Sequence, residues 1–287
     1  CDDTAASILL NNKVLSSVIS SQDIHRLYGG VVPELASREH QKLITPIVNE
    51  AIIKSGINKN QINSVAFTRG PGLLGSLLVG TSFAKSLSIG LDVPLIEINH
   101  MQAHILSIFI ESDQKPPNFP FLALTVSGGH TQLVIVKDYF QMEEIGRTLD
   151  DAAGEAFDKS GKVIGLDYPS GPIIDKLSKK GDPHAFKFTK PKVEGLNFSF
   201  SGLKTGFMNF IKKESLANED FIKNRLNDIC ASIQNTIIDI LIEKIVSAVE
   251  ITQIKDIVIC GGVSANSILR ERITDIGKDN KWKIYFP

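Results

Sequence analysis

The sequence predicts an α/β protein of two lobes, and three observations predict it. Strand-like and helix-like periods alternate along the chain. The alternation runs twice, each time opening on a short hairpin. A proline-rich connector, Lys115 to Pro120, separates the two runs. The expected domains are therefore 1–114 and 115–287, with an irregular insertion at about 168–213 in the second. With 287 residues, 43% of them hydrophobic and 22% charged, the chain can fill two cores of ordinary size.

In the first run, Ala6 to Leu10 and Val14 to Ile19 read as strands around the turn Asn11-Asn12. Glu34 to Ser55 has helical spacing, with Pro46 inside it. Ser64 to Thr68 is a short strand, punctuated by Gly70-Pro71-Gly72, and Leu74 to Leu91 continues as an apolar helix rich in small residues. Leu95 to Ile98 is a strand and His100 to Ile110 a helix. The second run opens with strands Phe121 to Val126 and Gln132 to Val136 around Ser127-Gly128-Gly129. Both runs begin a strand on Thr (Thr4, Thr131), place Ile four residues on (Ile8, Ile135) and then turn, a faint sign of internal duplication. Asp151 to Ile164 and Phe221 to Val249 read as helices, the second with a core face of Leu226, Ile229, Ile233, Ile237, Leu241 and Ile245. Asp256 to Cys260, Ala265 to Gly277 and Lys283 to Phe286 close the chain as strand, helix and strand.

Bulk properties exclude several classes. The net charge of −1 argues against a broadly basic nucleic-acid surface, so any RNA contact needs local basic patches or a partner. Cys1, Cys230 and Cys260 form no framework and read as reduced cytosolic thiols. No apolar run reaches the ~20 residues taken as a membrane span. Neither GxxxxGK[ST] nor GxGxxG occurs, so neither a P-loop nor a Rossmann fingerprint is available.

Several short patterns carry chemistry. His100-Met101-Gln102-Ala103-His104 puts two imidazoles on one helical face, the spacing of a metal-binding pair. The alternative is a pair of capping or solvated histidines. Met101 stands where HExxH has its glutamate, which disfavours a zincin protease. Ser127-Gly128-Gly129-His130-Thr131 is either an anion-cradling loop or a hairpin turn. Gly261-Gly262-Val263-Ser264-Ala265-Asn266 joins strand to helix, either facing a phosphate or as a simple connection with Ser264 as N-cap. Asp151 suits an N-cap and Glu155 a first turn, whereas Asp158 has no such duty and is a candidate acceptor for ribose hydroxyls. Gly165 to Asp175 is a glycine-rich stretch carrying Asp167 and Asp175. Leu196 to Thr205 interleaves aromatic, hydroxyl and basic residues, which suits either base stacking or a hydrophobic cluster capped by serines.

Taken together and in order, YGGVVPELASREH (28–40), RGPGLLGSLLVG (69–80), INHMQAHI (98–105), VSGGHTQL (126–133), DDAAGEAFDK (150–159), GLDYPSGP (165–172), FSFSGLKT (198–205) and CGGVSAN (260–266) resemble the TsaD/Kae threonylcarbamoyltransferases. The resemblance covers essentially the whole chain and implies two ribonuclease-H-like lobes of the actin/Hsp70/sugar-kinase type. It implies transfer of a threonylcarbamoyl group from threonylcarbamoyl-AMP to N6 of the adenosine just 3′ of the anticodon, in tRNAs reading codons that begin with A. It implies one divalent iron or zinc ion on His100 and His104, and a nucleotide (adenylate or ATP) on Thr125, Val126, Ser127, Gly128, Gly129, Asp158, Gly171, Asp175, Gly262 and Asn266. It also implies work with tRNA, a small paralogous TsaB-like subunit and a TsaE-like ATPase, in the cytoplasm and without a membrane. No general base is assigned. The family has a strand before the Cys-Asp and a CTDNAAMIA-like segment whose Asp is a third metal ligand. Both are expected to lie outside the stretch Cys1 to Pro287. Two rivals remain, an ATP-hydrolysing or sugar-phosphorylating enzyme of the same fold and a nucleotide-binding scaffold.

Overall fold

The computed structural model describes residues 3–287 and divides into two compact units, Cys1–Lys115 and Pro116–Pro287. The thiol of Cys1 lies outside the described residues.

In the first unit, strands β1 (Asp3–Leu10) and β2 (Lys13–Ser21) form an antiparallel hairpin, with a bulge between Ile8 and Leu9. Helix α1 (Pro33–Ser55) packs on it through Ile47 and Ala51, which meet Val18. Pro33 opens this helix, where its missing N–H costs nothing. Gly56 closes it in the left-handed region at φ 74°. Ser16 donates to the carbonyl of Ala51 at 2.6 Å and ties hairpin to helix. Strand β3 (Val65–Gly70), helix α2 (Leu74–Leu91) and strand β4 (Leu95–Asn99) make a parallel crossover, and α3 (His100–Leu106) follows directly. The helix expected to reach Ile110 ends sooner and passes into a 3-10 turn at Ser107–Phe109. Helix α2 falls short of the ~20 residues taken as a membrane span. At 18 residues it is still long and apolar enough, by length and composition, to cross a membrane, and little of it is buried within the unit.

The second unit is built on a five-stranded sheet in the order β7-β6-β5-β8-β9. β5 (Phe121–Val126) and β6 (Thr131–Val136) pair antiparallel, and β7 (Met142–Arg147) adds an antiparallel edge. β8 (Asp256–Cys260) and β9 (Lys283–Tyr285) continue from β5 in parallel. Every residue of β5 is buried, as a central strand covered on both faces requires. β7 escaped the sequence reading because MEEIGR does not alternate cleanly. Its charged residues suit a solvated edge.

Five helices complete the unit: α4 (Ala153–Val163), α5 (Ser170–Ser178), α6 (Ser201–Ala217), α7 (Phe221–Thr252) and α8 (Ser267–Asn280). Ile229, Ile233, Ile237, Leu241 and Ile245 of α7 are fully buried. Each such side chain contributes about 1.5–3 kcal/mol of transfer free energy. Leu226 is only partly buried, next to non-helical backbone at Arg225 (φ −119°, ψ 17°). The stretch 168–213, expected to be irregular, is irregular only between α5 and α6. Its apolar residues at helical spacing, such as Leu203, Phe207 and Ile211, are core positions that the abundance of Gly, Pro and Lys obscured.

Candidate functional site

A cavity of about 370 Å³ lies wholly within the second unit. Its walls come from the starts of three helices and the loops that feed them. Gly154 belongs to the first turn of α4, Gly171 and Pro172 to that of α5, and Asn266 is the N-cap of α8. Helix N-termini carry partial positive charge, which favours an anion beside them.

The loop after β5 is shaped from within. Ser127 N–H donates to the carbonyl of His130 at 2.8 Å, and the Ser127 hydroxyl accepts from His130 N–H at 3.1 Å. Gly154 lies against this loop and donates its N–H to the carbonyl of Ser127 at 3.2 Å. A Cβ at Gly154 would lie 2.6 Å from that oxygen, so the approach of α4 requires glycine. Gly128 lines the cavity, and a Cβ there would meet nothing within 4 Å. Among the nucleotide candidates, Gly128, Asp158, Gly171, Asp175, Gly262 and Asn266 line the cavity together. Ser127 and Gly129 belong to the loop but not to the lining. Thr125 and Val126 are fully buried, and the Thr125 hydroxyl is 3.4 Å from the Cys260 sulfur. These two support the loop and offer no side chain to a ligand.

Several polar residues of the site also hold the fold. Asp158 Oδ1 accepts from Ser170 N–H at 2.8 Å, at the first turn of α5. A carboxylate has about four acceptor positions and can hold more than one donor. Asp175 binds Ser267 twice, through N–H at 3.2 Å and hydroxyl at 2.9 Å, and so joins α5 to α8. Asn266, not Ser264, is the N-cap of α8 and accepts from Leu269 N–H at 3.0 Å. A 3-10 turn at Gly262–Ala265 delays the helix start to Ser267. Asn266 also donates to Gln234 at 2.8 Å, and Gln234 donates to Ser178 at 2.7 Å. Gln234 was missed by the sequence reading, though one fully buried amide in the apolar run of α7 is itself a signal. Phe157, Tyr168, Pro169, Val263 and Ala265 complete the lining and were likewise not singled out.

Around α4, Glu155 lies in the first turn as expected, but the cap is not the expected one. Asp151 does not cap the helix. It pairs with Lys159 at 2.7 Å, which also holds Glu155 at 2.7 Å. Asp150 gathers the start of α6, accepting from the Ser199 hydroxyl at 2.5 Å, Phe200 N–H at 2.8 Å, Ser201 N–H at 3.3 Å and the Ser201 hydroxyl at 2.9 Å. Phe198 and Phe200 are fully buried with rings stacked 6.4 Å apart. Of the two readings of Leu196 to Thr205, the serine-capped hydrophobic cluster is the one found.

In the first unit, His100 and His104 share one face of α3, their ring centroids 4.7 Å apart. Asn99, not a histidine, caps this helix, accepting from Met101 N–H at 2.9 Å and Gln102 N–H at 3.2 Å. His100 Nδ1 lies 3.2 Å from the carbonyl of Pro71. A carbonyl only accepts, so in the neutral imidazole Nδ1 carries the proton and Nε2 is left as the ligating nitrogen. The pair therefore fits two positions of a metal site. Among the described residues no group of three or more His, Cys, Asp or Glu could hold a metal ion.

Comparison with known proteins places this architecture. The family model for TsaD, tRNA N6-adenosine threonylcarbamoyltransferase, matches residues 13–287. The chain belongs to this family of transferases. It is 60% identical to the tRNA N6-adenosine threonylcarbamoyltransferase of Christiangramia forsetii over 100% of this chain and 85% of that protein. It is 58% identical to that of Riemerella anatipestifer over 100% and 84%. Among solved structures, T.kodakarensis HypF aligns with a TM-score of 0.62 at 13% identity, over 99% of this chain and 44% of that one. Component A of the Acidaminococcus fermentans (R)-2-hydroxyglutaryl-CoA dehydratase aligns with a TM-score of 0.54 at 13% identity, over 100% of this chain and 88% of that one. These likenesses show that the transferase has the ribonuclease-H-like, actin-like fold.

The Asp150 cluster carries a pH signature. Burial works to raise its pKa, but the bonds from Ser199, Phe200 and Ser201 outweigh it and hold the carboxyl below its ordinary 3.8. A depressed carboxyl stabilises the fold above its unfolded pKa and loses that contribution as pH falls through the folded one. The gap in urea midpoint between wild type and Asp150→Asn is thus expected to be constant from pH 7 to about 5 and to shrink below 3.8. An equal gap at pH 7 and pH 3 would show that the Asp150 carboxyl is not depressed in the folded state.

Proposed function

We propose that this chain transfers a threonylcarbamoyl group from threonylcarbamoyl-AMP to N6 of the adenosine 3′ to the anticodon, with the adenylate seated in the cavity of the second unit. The observation that carries the placement is the convergence of three helix starts on one cavity that also holds the Asp158 carboxylate. The helix starts suit the phosphate, and the carboxylate suits a ribose hydroxyl. The relatives' printed activity supplies the acceptor. In the reaction the N6 amine attacks the carbamoyl carbon, the C–N bond forms, the C–O bond of the mixed anhydride breaks, and AMP leaves with its electron pair. The amine proton passes to solvent or to the leaving phosphate. The role of these residues is to bind, orient and stabilise the charge that grows on the leaving group.

His100 and His104 are the residues that would hold an iron or zinc ion, which supplies Lewis-acid character when bound. The proposed setting is the cytoplasm, with tRNA, a TsaB-like subunit and a TsaE-like ATPase as partners. The two described cysteines suit a reducing compartment, because both are unpaired and buried. Burial pushes Cys230 up to about 12 and Cys260 to about 11, the latter partly offset by the Thr125 hydroxyl, so neither is reactive near neutral pH.

The reading is tested by threonine-dependent incorporation of labelled bicarbonate carbon into tRNA, with the adenylate-forming enzyme supplied. ATP turnover without incorporation would favour the kinase-like rival, and nucleotide binding with neither activity would favour the scaffold. At the nucleotide site, Asp158→Asn keeps an acceptor for Ser170 N–H and removes the charge. It should leave the melting temperature within a few degrees of wild type and weaken adenylate binding roughly 10-fold, the loss of one charge-assisted hydrogen bond. Unchanged affinity by calorimetry would make Asp158 a strut for α5 alone. At the histidine pair, His100→Ala and His104→Ala should each lower the metal-to-protein ratio measured by elemental analysis. An unchanged ratio in both variants would remove the metal assignment.

A further inference from the structure

Charge is distributed very unevenly along this nearly neutral chain. Residues 176–213 carry nine lysines against two acids, Asp182 and Glu194. The whole chain holds 31 basic and 32 acidic residues, so the remainder has 22 against 30. Of these lysines, Lys176, Lys179, Lys180, Lys187, Lys192, Lys212 and Lys213 are exposed. Lys190 differs in being held by Asp239 and Glu243.

The segment that presents them is anchored. Phe186 packs against Phe210 and Phe221, and Phe188 against Phe207 and Phe210. Asp182 N–H donates to Asp228 at 2.9 Å, and Phe186 N–H to the Ser232 hydroxyl at 3.1 Å. Farther along, Lys244 donates to the carbonyl of Gly195 at 2.5 Å. Between these fixed points Lys187 and Lys192 face outward while their neighbours Phe186 and Phe188 are drawn in. An anchored backbone lowers the ordering cost of binding, which a floppy basic tail would bear in full. The segment leads out from the cavity wall, because Lys176 follows the lining residue Asp175 on α5.

We propose that the exposed lysines of α5, the following loop and α6 form the surface that receives the phosphate backbone of the tRNA substrate. This rests on the tRNA-modifying reading and adds to it a location and a physical form. The rest of the chain carries 22 basic against 30 acidic residues, so attraction for a polyanion is concentrated in this segment, which favours one docking orientation. Phosphate contacts position a nucleic acid without reading its sequence, so the strip sets register while recognition of the adenosine belongs to the cavity region.

The test uses the transferase purified from its own cells, bound partners included, and tRNA binding by fluorescence anisotropy across a series of KCl concentrations. The triple variant Lys187→Gln, Lys192→Gln, Lys213→Gln should bind tRNA roughly 10-fold or more weakly at moderate salt, and the slope of log K against log[KCl] should fall by about one for each lysine that touches a phosphate. Adenylate affinity and melting temperature should match wild type, which separates lost docking from lost folding. Lys278→Gln, which removes a lysine paired with Asp275 elsewhere on the unit, should leave the slope unchanged. A triple variant with wild-type affinity and slope overturns the strip while leaving the tRNA reading intact. Wild-type protein that binds no tRNA at any salt overturns both.

Discussion

The parallel pairing of β5 with β8 is the constraint on which the site depends. It sets Thr125 beside Cys260 and so delivers the loop after each strand to the same edge of the sheet. The approach is close enough that a Cβ on Gly261 would lie 2.5 Å from the carbonyl of Val126, and Gly261 adopts φ +90°, where side chains are strained. α4 then meets the first loop through Gly154, and α8 starts from the second through Asn266. The strands must be fully buried to fix this geometry, and β5 is buried at every position. Core packing is thus what aims the helix starts at one cavity.

The cavity wall is braced by the same kinds of residue that bind ligands. Asp158 secures the first turn of α5, Asp175 joins α5 to α8, and Gln234 connects Ser178 to Asn266 through the middle of α7. Buried polar groups must find partners or cost about 1–3 kcal/mol each. A chain of such pairs fixes orientation more sharply than apolar contact does. A substitution at these positions therefore acts on structure and on binding together, and an isosteric change separates the two better than truncation to alanine.

The elements most legible in the sequence were those with a strong local period. α2, β5 and β8 have the bounds that pattern and punctuation gave, and α7 buries the face that its isoleucines marked. β7, α5 and α6 were missed, the first because an edge strand carries charge without clean alternation, the others because they sit among Gly, Pro and Lys. For the cavity, six of the ten nucleotide candidates line it, all drawn from motifs recognised by their order along the chain. Thr125 and Val126 could not be sorted from Gly128 by proximity in sequence, since strand interior and loop differ only in what packs around them.

The sequence by itself determined the class of fold, the family, the histidine pair with i, i+4 spacing, and the concentration of lysine in one segment. Each is local, written in neighbouring residues or in their order. Tertiary structure alone decided that Asp150 organises the start of α6 and that Gln234 bridges Ser178 and Asn266. Those outcomes join residues from 32 to 56 positions apart. A side chain with several possible partners takes the one that packing brings within reach, and packing belongs to the whole chain.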